Sequence, residues 1–129
     1  MNTMPKAAMI LSAGLGLRMR PLTDTRPKPL IEVAGKALLA YNLECLTRAG
    51  IDQIVVNIHH LGGQIRDYLH AKNYQQVKIS DETERLLDSG GGVKKALPLL
   101  GSDPFFIMNA DSFFIDGPQK NLQRLAEAF

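Results

Sequence analysis

The chain has 129 residues, 45% of them hydrophobic and 22% charged, which suits one globular domain with a buried core and excludes a disordered or fibrous chain. Fifteen Lys and Arg against thirteen Asp and Glu leave a formal net charge of +2, too little to make a nucleic acid or an anionic membrane the main partner. One cysteine excludes an intrachain disulfide; Cys45, set among Leu43, Leu46 and Ala49, reads as a packed thiol, so a reducing cytoplasm is the expected compartment.

Residues 7–13 form a continuous apolar run stopped by Gly14, the pattern of a strand buried on both faces of a parallel sheet. The run loosely mimics a signal peptide but meets a glycine loop too soon, and no other apolar stretch is long enough to cross a bilayer, so a soluble protein is expected. Pro21, Pro27 and Pro29 limit residues 22–30 to irregular chain or a short turn and hold Lys28 in a stiff frame. Between 36 and 49, Leu38, Leu39, Tyr41, Leu43, Cys45, Leu46 and Ala49 make a broad helical face, with Gly50 as the stop signal.

Residues 51–58 are rich in β-branched side chains and predict a second strand; Leu61, Ile65, Tyr68 and Leu69 predict a second amphipathic helix. Residues 77–79 predict a short third strand, and Val93, Leu97 and Leu100 a helix that opens after Gly92 and is cut short by Pro98. Residues 105–108 predict a fourth strand. Leu122, Leu125, Ala126 and Phe129 have helical spacing, and no capping residue follows, so a truncated domain is expected. Strands alternating with helices predict a Rossmann-like three-layer α/β/α sandwich with a mostly parallel sheet, spanning 1–129 as one unit with its ligand beyond the strands' carboxyl ends.

The chemistry concentrates after the first strand. Gly14 and Gly16 can turn main-chain N–H groups toward phosphate oxygens, and Arg18 adds a planar fork of donors. Arg18, Arg20, Arg26, Lys28 and Lys36, opposed there by Asp24 and Glu32, make the segment basic and suited to a small anion. A glycine turn with solvated arginines is the plainer reading of a lone Gly-x-Gly; its position behind a buried strand favours phosphate. Met19 stands where a dinucleotide fingerprint needs glycine or alanine, Pro21 would interrupt its helix, and no Gly-Lys-Ser/Thr follows, which excludes a P-loop. Asp111, behind the fourth strand, offers a hard oxygen ligand for Mg²⁺ or else a cap for the next segment. His59, His60 and His70 lack partners at metal-ligand spacing and read as structural or solvent-facing.

Gly14-Leu15-Gly16-Leu17-Arg18-Met19-Arg20-Pro21-Leu22-Thr23, followed by Pro27-Lys28-Pro29-Leu30, resembles the signature of the sugar-1-phosphate nucleotidyltransferases, above all their N-acetylmuramate-1-phosphate uridylyltransferase and mannose-1-phosphate guanylyltransferase branch. Asp88-Ser89-Gly90-Gly91-Gly92 is similar to that family's acidic-Thr-Gly-Gly-Gly loop and Asn109-Ala110-Asp111 to its Asn-Gly-Asp, with Ser89 and Ala110 as mild departures. The resemblance implies the nucleotide-diphospho-sugar transferase fold, of which this chain supplies the N-terminal, nucleotide-binding part. It implies transfer of a nucleoside monophosphate from UTP, or GTP as runner-up, to a sugar-1-phosphate, with Mg²⁺ as cofactor and a place in nucleotide-sugar synthesis and cell-wall recycling. Leu11, Ala13, Gly14, Gly16, Leu17, Arg18, Lys28 and Gly91 would hold the nucleotide, with Arg18 on the departing pyrophosphate and Lys28 on the attacked phosphate. Asn109 would contact the sugar phosphate, and Asp111 the metal. The implied domain runs about twice as far as this chain, which leaves a catalytically incomplete binding or assembly module, or a self-associating fragment, as the alternative.

Overall fold

The computed structural model describes residues 4–110, 112 and 120–128. Strand β1 (Ala7–Leu11) lies between two neighbours, and its first four residues are buried, as a strand covered on both faces requires. The proline-rich stretch forms one helical turn, α1 (Leu22–Thr25), flanked by 3-10 turns at Leu17–Met19 and Lys28–Leu30. A small antiparallel hairpin follows, β2 (Glu32–Val33) and β3 (Lys36–Ala37), closed by Ala34 and Gly35, both at positive φ.

Helix α2 (Leu38–Arg48) therefore starts later than its apolar pattern suggested, because Lys36 and Ala37 belong to β3. Gly50, at φ 82°, ends it in the left-handed conformation that a side chain would resist. Strand β4 (Gln53–Ile58), helix α3 (Gly62–Ala71) and strand β5 (Val77–Asp81) come next. Helix α4 (Ser89–Leu100), strand β6 (Phe106–Asn109) and helix α5 (Asn121–Ala128) complete the described chain.

Helix α4 departs most from expectation: it opens at Ser89 rather than after Gly92, so the glycine triplet lies inside its first turns. Asp88 is the physical reason, since its Oδ1 accepts the Gly91 N–H at 2.6 Å and caps a start that glycines alone would leave weak. Pro98 does not cut the helix short. It sits in the last turn, where the missing N–H costs one helical bond, and the chain leaves at Gly101, φ 86°.

The four long strands form a parallel sheet in the order β5-β4-β1-β6. Strand alternation divides the core. Ala8, Ile10, Ile54, Val56 and Ile58 pack with Leu39, Leu43 and Leu46 of α2, Ile65 and Leu69 of α3, and Leu122 and Ala126 of α5. Ala7, Met9 and Val55 pack on the other side with Ala96 and Leu100 of α4. The expected three layers are present, with α4 facing the other helices across the sheet.

Connections through α2 and α3 step outward from β1 to β4 and β5, and α4 then returns the chain to β6 on the far side of β1. The strand order reverses between β1 and β6, and a crevice opens at the carboxyl ends of such a pair. Leu43, fully buried against this sheet, tests the layering: Leu43→Ala should cost about 2–5 kcal/mol in urea unfolding, whereas a midpoint equal to the parent's would contradict its core position.

Candidate functional site

At that reversal lies a cavity of about 400 Å³. Its floor and one wall come from the end of β1 and the loop beyond it, through Leu11, Ser12, Ala13, Gly14 and Gly16. Lys28 and Pro29 come from the second 3-10 turn, Asn57 from β4, Leu86 to Ser89 from the approach to α4, and Asn109 and Ala110 from the end of β6. A larger hollow, about 890 Å³, runs past Lys6, Gln53, Phe105 and Leu125 at the strands' amino ends, but no motif residue faces it. Chemistry, not size, marks the candidate site.

The glycine loop is pinned from outside. Gly16 has φ 67°, and a Cβ there would stand 2.7 Å from Thr23 Cγ2, so both backbone angle and space demand glycine. Buried Thr23 donates its hydroxyl to the Gly16 carbonyl at 2.6 Å. His60 Nε2 lies 2.7 Å from the Thr23 carbonyl; a carbonyl only accepts, so Nε2 carries the proton and donates. Lys28 is half-buried in its own tight turn, closed by Leu30 N–H to Pro27 O at 2.9 Å and Ile31 N–H to Lys28 O at 3.1 Å, between buried Pro27 and Pro29.

A buried polar chain runs beneath the cavity. Ser12 N–H donates to Asn57 Oδ1 at 2.7 Å and the Ser12 hydroxyl donates to the Asn57 carbonyl. Asn57 Nδ2 donates to Glu82 Oε2 at 2.8 Å, and Leu87 N–H donates to Glu82 Oε1 at 3.0 Å. Glu82 is 1% exposed. His59 Nδ1 donates to the Glu82 carbonyl at 2.6 Å, so two of the three histidines are structural, as expected, and His70 is exposed on α3. Sequence reasoning missed Glu82 because it sits in a charged run, Asp81 to Arg85, that looks solvated. A signal was present in Asn57, an amide in the middle of a buried β-branched strand, where it must find a partner.

Of the residues singled out from sequence, Leu11, Ala13, Gly14, Gly16, Lys28 and Asn109 converge on this cavity. Leu17 and Arg18 lie on the exposed turn next to it, outside its lining. Gly91, which the resemblance implied would hold the nucleotide, gives its N–H to Asp88. Asp111 lies outside the described residues. Asn109 is paired with Leu11 across the sheet, and its carbonyl accepts from Asn42 Nδ2 at 3.2 Å.

The basic segment is less uniform than its sequence. Arg20 faces Asp24 at 3.8 Å, and Lys36 pairs with Glu44 at 2.5 Å while stacking over Tyr41. At the end of β5, hydrogen bonds from the Thr83 hydroxyl and N–H, then Arg66 and Lys95 nearby, hold the Asp81 carboxyl below its ordinary value. Burial, with smaller effects from neighbouring charges, raises the Tyr68 and Tyr74 phenols.

The two loop glycines predict opposite outcomes. Gly16→Ala should lower stability by about 1–3 kcal/mol through left-handed strain and the Thr23 clash. Gly14→Ala, with no atom within 4 Å of the added Cβ, should stay within about 0.5 kcal/mol of the parent. Thermal melts of the two variants decide it, and equal losses would contradict the loop geometry.

Comparison with known proteins relates the chain to a family. The chain is 44% identical over 133 aligned positions to N-acetylmuramate alpha-1-phosphate uridylyltransferase of Caulobacter vibrioides, covering 100% of this chain and 55% of that protein. It is 51% identical over 106 residues to the enzyme of the same name from Neisseria meningitidis serogroup B, covering 81% of this chain and 46% of that one. Among solved structures, UTP-bound UGPase from Acinetobacter baumannii superposes with a TM-score of 0.81 at 25% identity, over 97% of this chain and 52% of that one. The chain thus spans about half the length of the curated relatives it matches. The nucleotidyl transferase family model matches residues 7–128, taking in β1, the glycine loop, Lys28 and every strand around the cavity, and the chain belongs to that family.

Proposed function

We propose that the cavity binds a nucleoside triphosphate, and that the domain to which this chain contributes transfers the nucleoside monophosphate to a sugar-1-phosphate and releases pyrophosphate. The observation that carries this reading is the convergence of the Gly14 and Gly16 backbone with Lys28 on one cavity at the sheet's reversal. UTP with N-acetylmuramate-1-phosphate is the favoured pair, supported by relatives of that name at 44% and 51% identity; GTP with mannose-1-phosphate is second.

In the proposed reaction a sugar-1-phosphate oxygen forms a bond to the α-phosphorus, and the bond from that phosphorus to the bridging oxygen breaks. The electron pair leaves with pyrophosphate. Catalysis of this kind is mainly positioning and charge stabilisation. Loop N–H groups hold the phosphates, Lys28 offsets charge at the attacked phosphate, and Arg18, on the turn beside the cavity, meets the leaving pyrophosphate. Asn109 offers the acceptor sugar phosphate an amide.

Among the described residues no group of three or more His, Cys, Asp or Glu forms a metal cluster. Mg²⁺ typically rests on one or two carboxylates plus substrate phosphates, a demand that Asp111 behind β6 can meet in part. When bound, the ion would neutralise phosphate charge. No described helix is long and apolar enough to cross a membrane, and we place the activity in the cytoplasm on the lone cysteine and the nucleotide substrate.

A second reading follows from coverage: a chain half the length of its relatives can act as a nucleotide-binding or assembly module without turnover. Assaying nucleotide-sugar formation by the purified chain, beside calorimetric binding of UTP and GTP, separates the two. Lys28→Ala should weaken UTP binding by about tenfold to a hundredfold, the loss of a charge-assisted contact. Unchanged affinity would remove Lys28 from the site.

A further inference from the structure

We infer that Glu82 is a positioning residue that sets the width of the nucleotide cleft, because its buried carboxylate ties the end of β4 to the loop that opens α4. This rests on the nucleotide reading above. The two oxygens hold different walls: Oε2 accepts from Asn57, which in turn grips Ser12 at the root of the glycine loop, and Oε1 accepts from the Leu87 N–H on the opposite wall. Ser12, Asn57 and Leu87 line the cavity, whereas Glu82 lies behind them.

Space confirms how tightly the tether is drawn. A Cβ added at Gly92 would stand 3.0 Å from Glu82 Oε2 and 3.1 Å from Asn57 Nδ2, so α4 presses a bare backbone against the same pair. The glycine at 92 thereby acquires a role that does not involve ligand: it admits α4 close enough for the tether to close. The Glu82 main chain is fixed as well, by its N–H to Ile58 O at 2.8 Å and by His59.

The polarity of the tether is chemically strict. Both neighbours of the carboxylate are donors, so a group with two acceptor oxygens is needed, and an amide can satisfy one donor while opposing its own N–H to the other. Glu82→Gln should therefore slow nothing in the apolar core but loosen the cleft. Amide exchange across residues 83–91 should rise by about tenfold without nucleotide, and UTP binding in the presence of MgCl₂ should weaken by about tenfold.

Asn57→Asp alone sets two carboxylates face to face and should damage binding similarly. The double variant Glu82→Gln with Asn57→Asp restores every pairing and reverses only the bond between positions 57 and 82: the introduced amide donates to the introduced carboxylate, which still accepts from Ser12 N–H, and the introduced carbonyl accepts from Leu87 N–H. It should return both exchange and UTP affinity to within about threefold of the parent, a rescue that lost packing does not give.

Parent-like exchange and affinity in Glu82→Gln would overturn the inference. So would a double variant that is unfolded, or folded without recovery. A parent chain that ignores UTP would sink the nucleotide reading by itself, and the exchange measurements would still decide the tether.

Discussion

Polar groups at the inner ends of β1 and β4 must be satisfied without water, and the way the chain meets that demand orders everything above the sheet. A carboxylate at 1% exposure is tolerable only because each oxygen accepts a hydrogen bond. Leaving one partner of a buried hydrogen bond of this kind unsatisfied typically costs about 1–3 kcal/mol, more than a surface contact. Since Ser12 precedes the glycine loop by a single residue, the loop's starting direction is inherited from Asn57, and through it from Glu82. The glycine-loop backbone is thus anchored to the sheet without a ligand, which would lower the ordering cost of the phosphate binding we propose for it.

The loop's far end has its own anchor in Thr23 and His60. Between the two anchors Gly14 stays exposed, while Gly16 takes an angle closed to other residues. Helix α4 also points its N-terminus toward the cavity, and that end ordinarily attracts anions. Here Asp88 already caps it with a negative side chain and occupies Gly91 N–H. The helix field is offset at its source, so the anion binding we propose for the cavity would rest on Lys28 and the loop amides rather than on α4.

The architecture was legible because burial is periodic. Residues 7–13 read as a doubly covered strand, of which β1 takes 7–11, and Leu38 to Leu46 as one helical face, which α2 contains. Errors fell where a local polar contact overrides the apolar pattern: Lys36 pairs into a hairpin, and Asp88 starts α4 early. The glycine loop and Lys28 were visible through their turn chemistry, which is local in sequence. Glu82 was not, since its meaning depends on Asn57, 25 positions earlier, and a charged run gives no hint of which carboxylate is sealed. Pairing across a parallel sheet is non-local, and composition cannot show it.

Topology also decides which part of the proposed chemistry one half of a domain can hold. The two strands that flank β1, β4 and β6, are both within the described residues, so both walls of the crevice come from this chain. Among the cations, Arg20 and Lys36 pair with Asp24 and Glu44, and Lys28 lines the cavity from its own turn. The triphosphate recognition we propose for the backbone and Lys28 would therefore depend on elements already folded around β1. Asn109, which we propose meets the acceptor, stands at the end of β6, whose outer edge has no partner strand among the described residues and where Ile107 is half exposed. In the proposed reaction nucleotide binding and transfer are thus separable demands on this fold, the first placed at the centre of the sheet and the second at its edge.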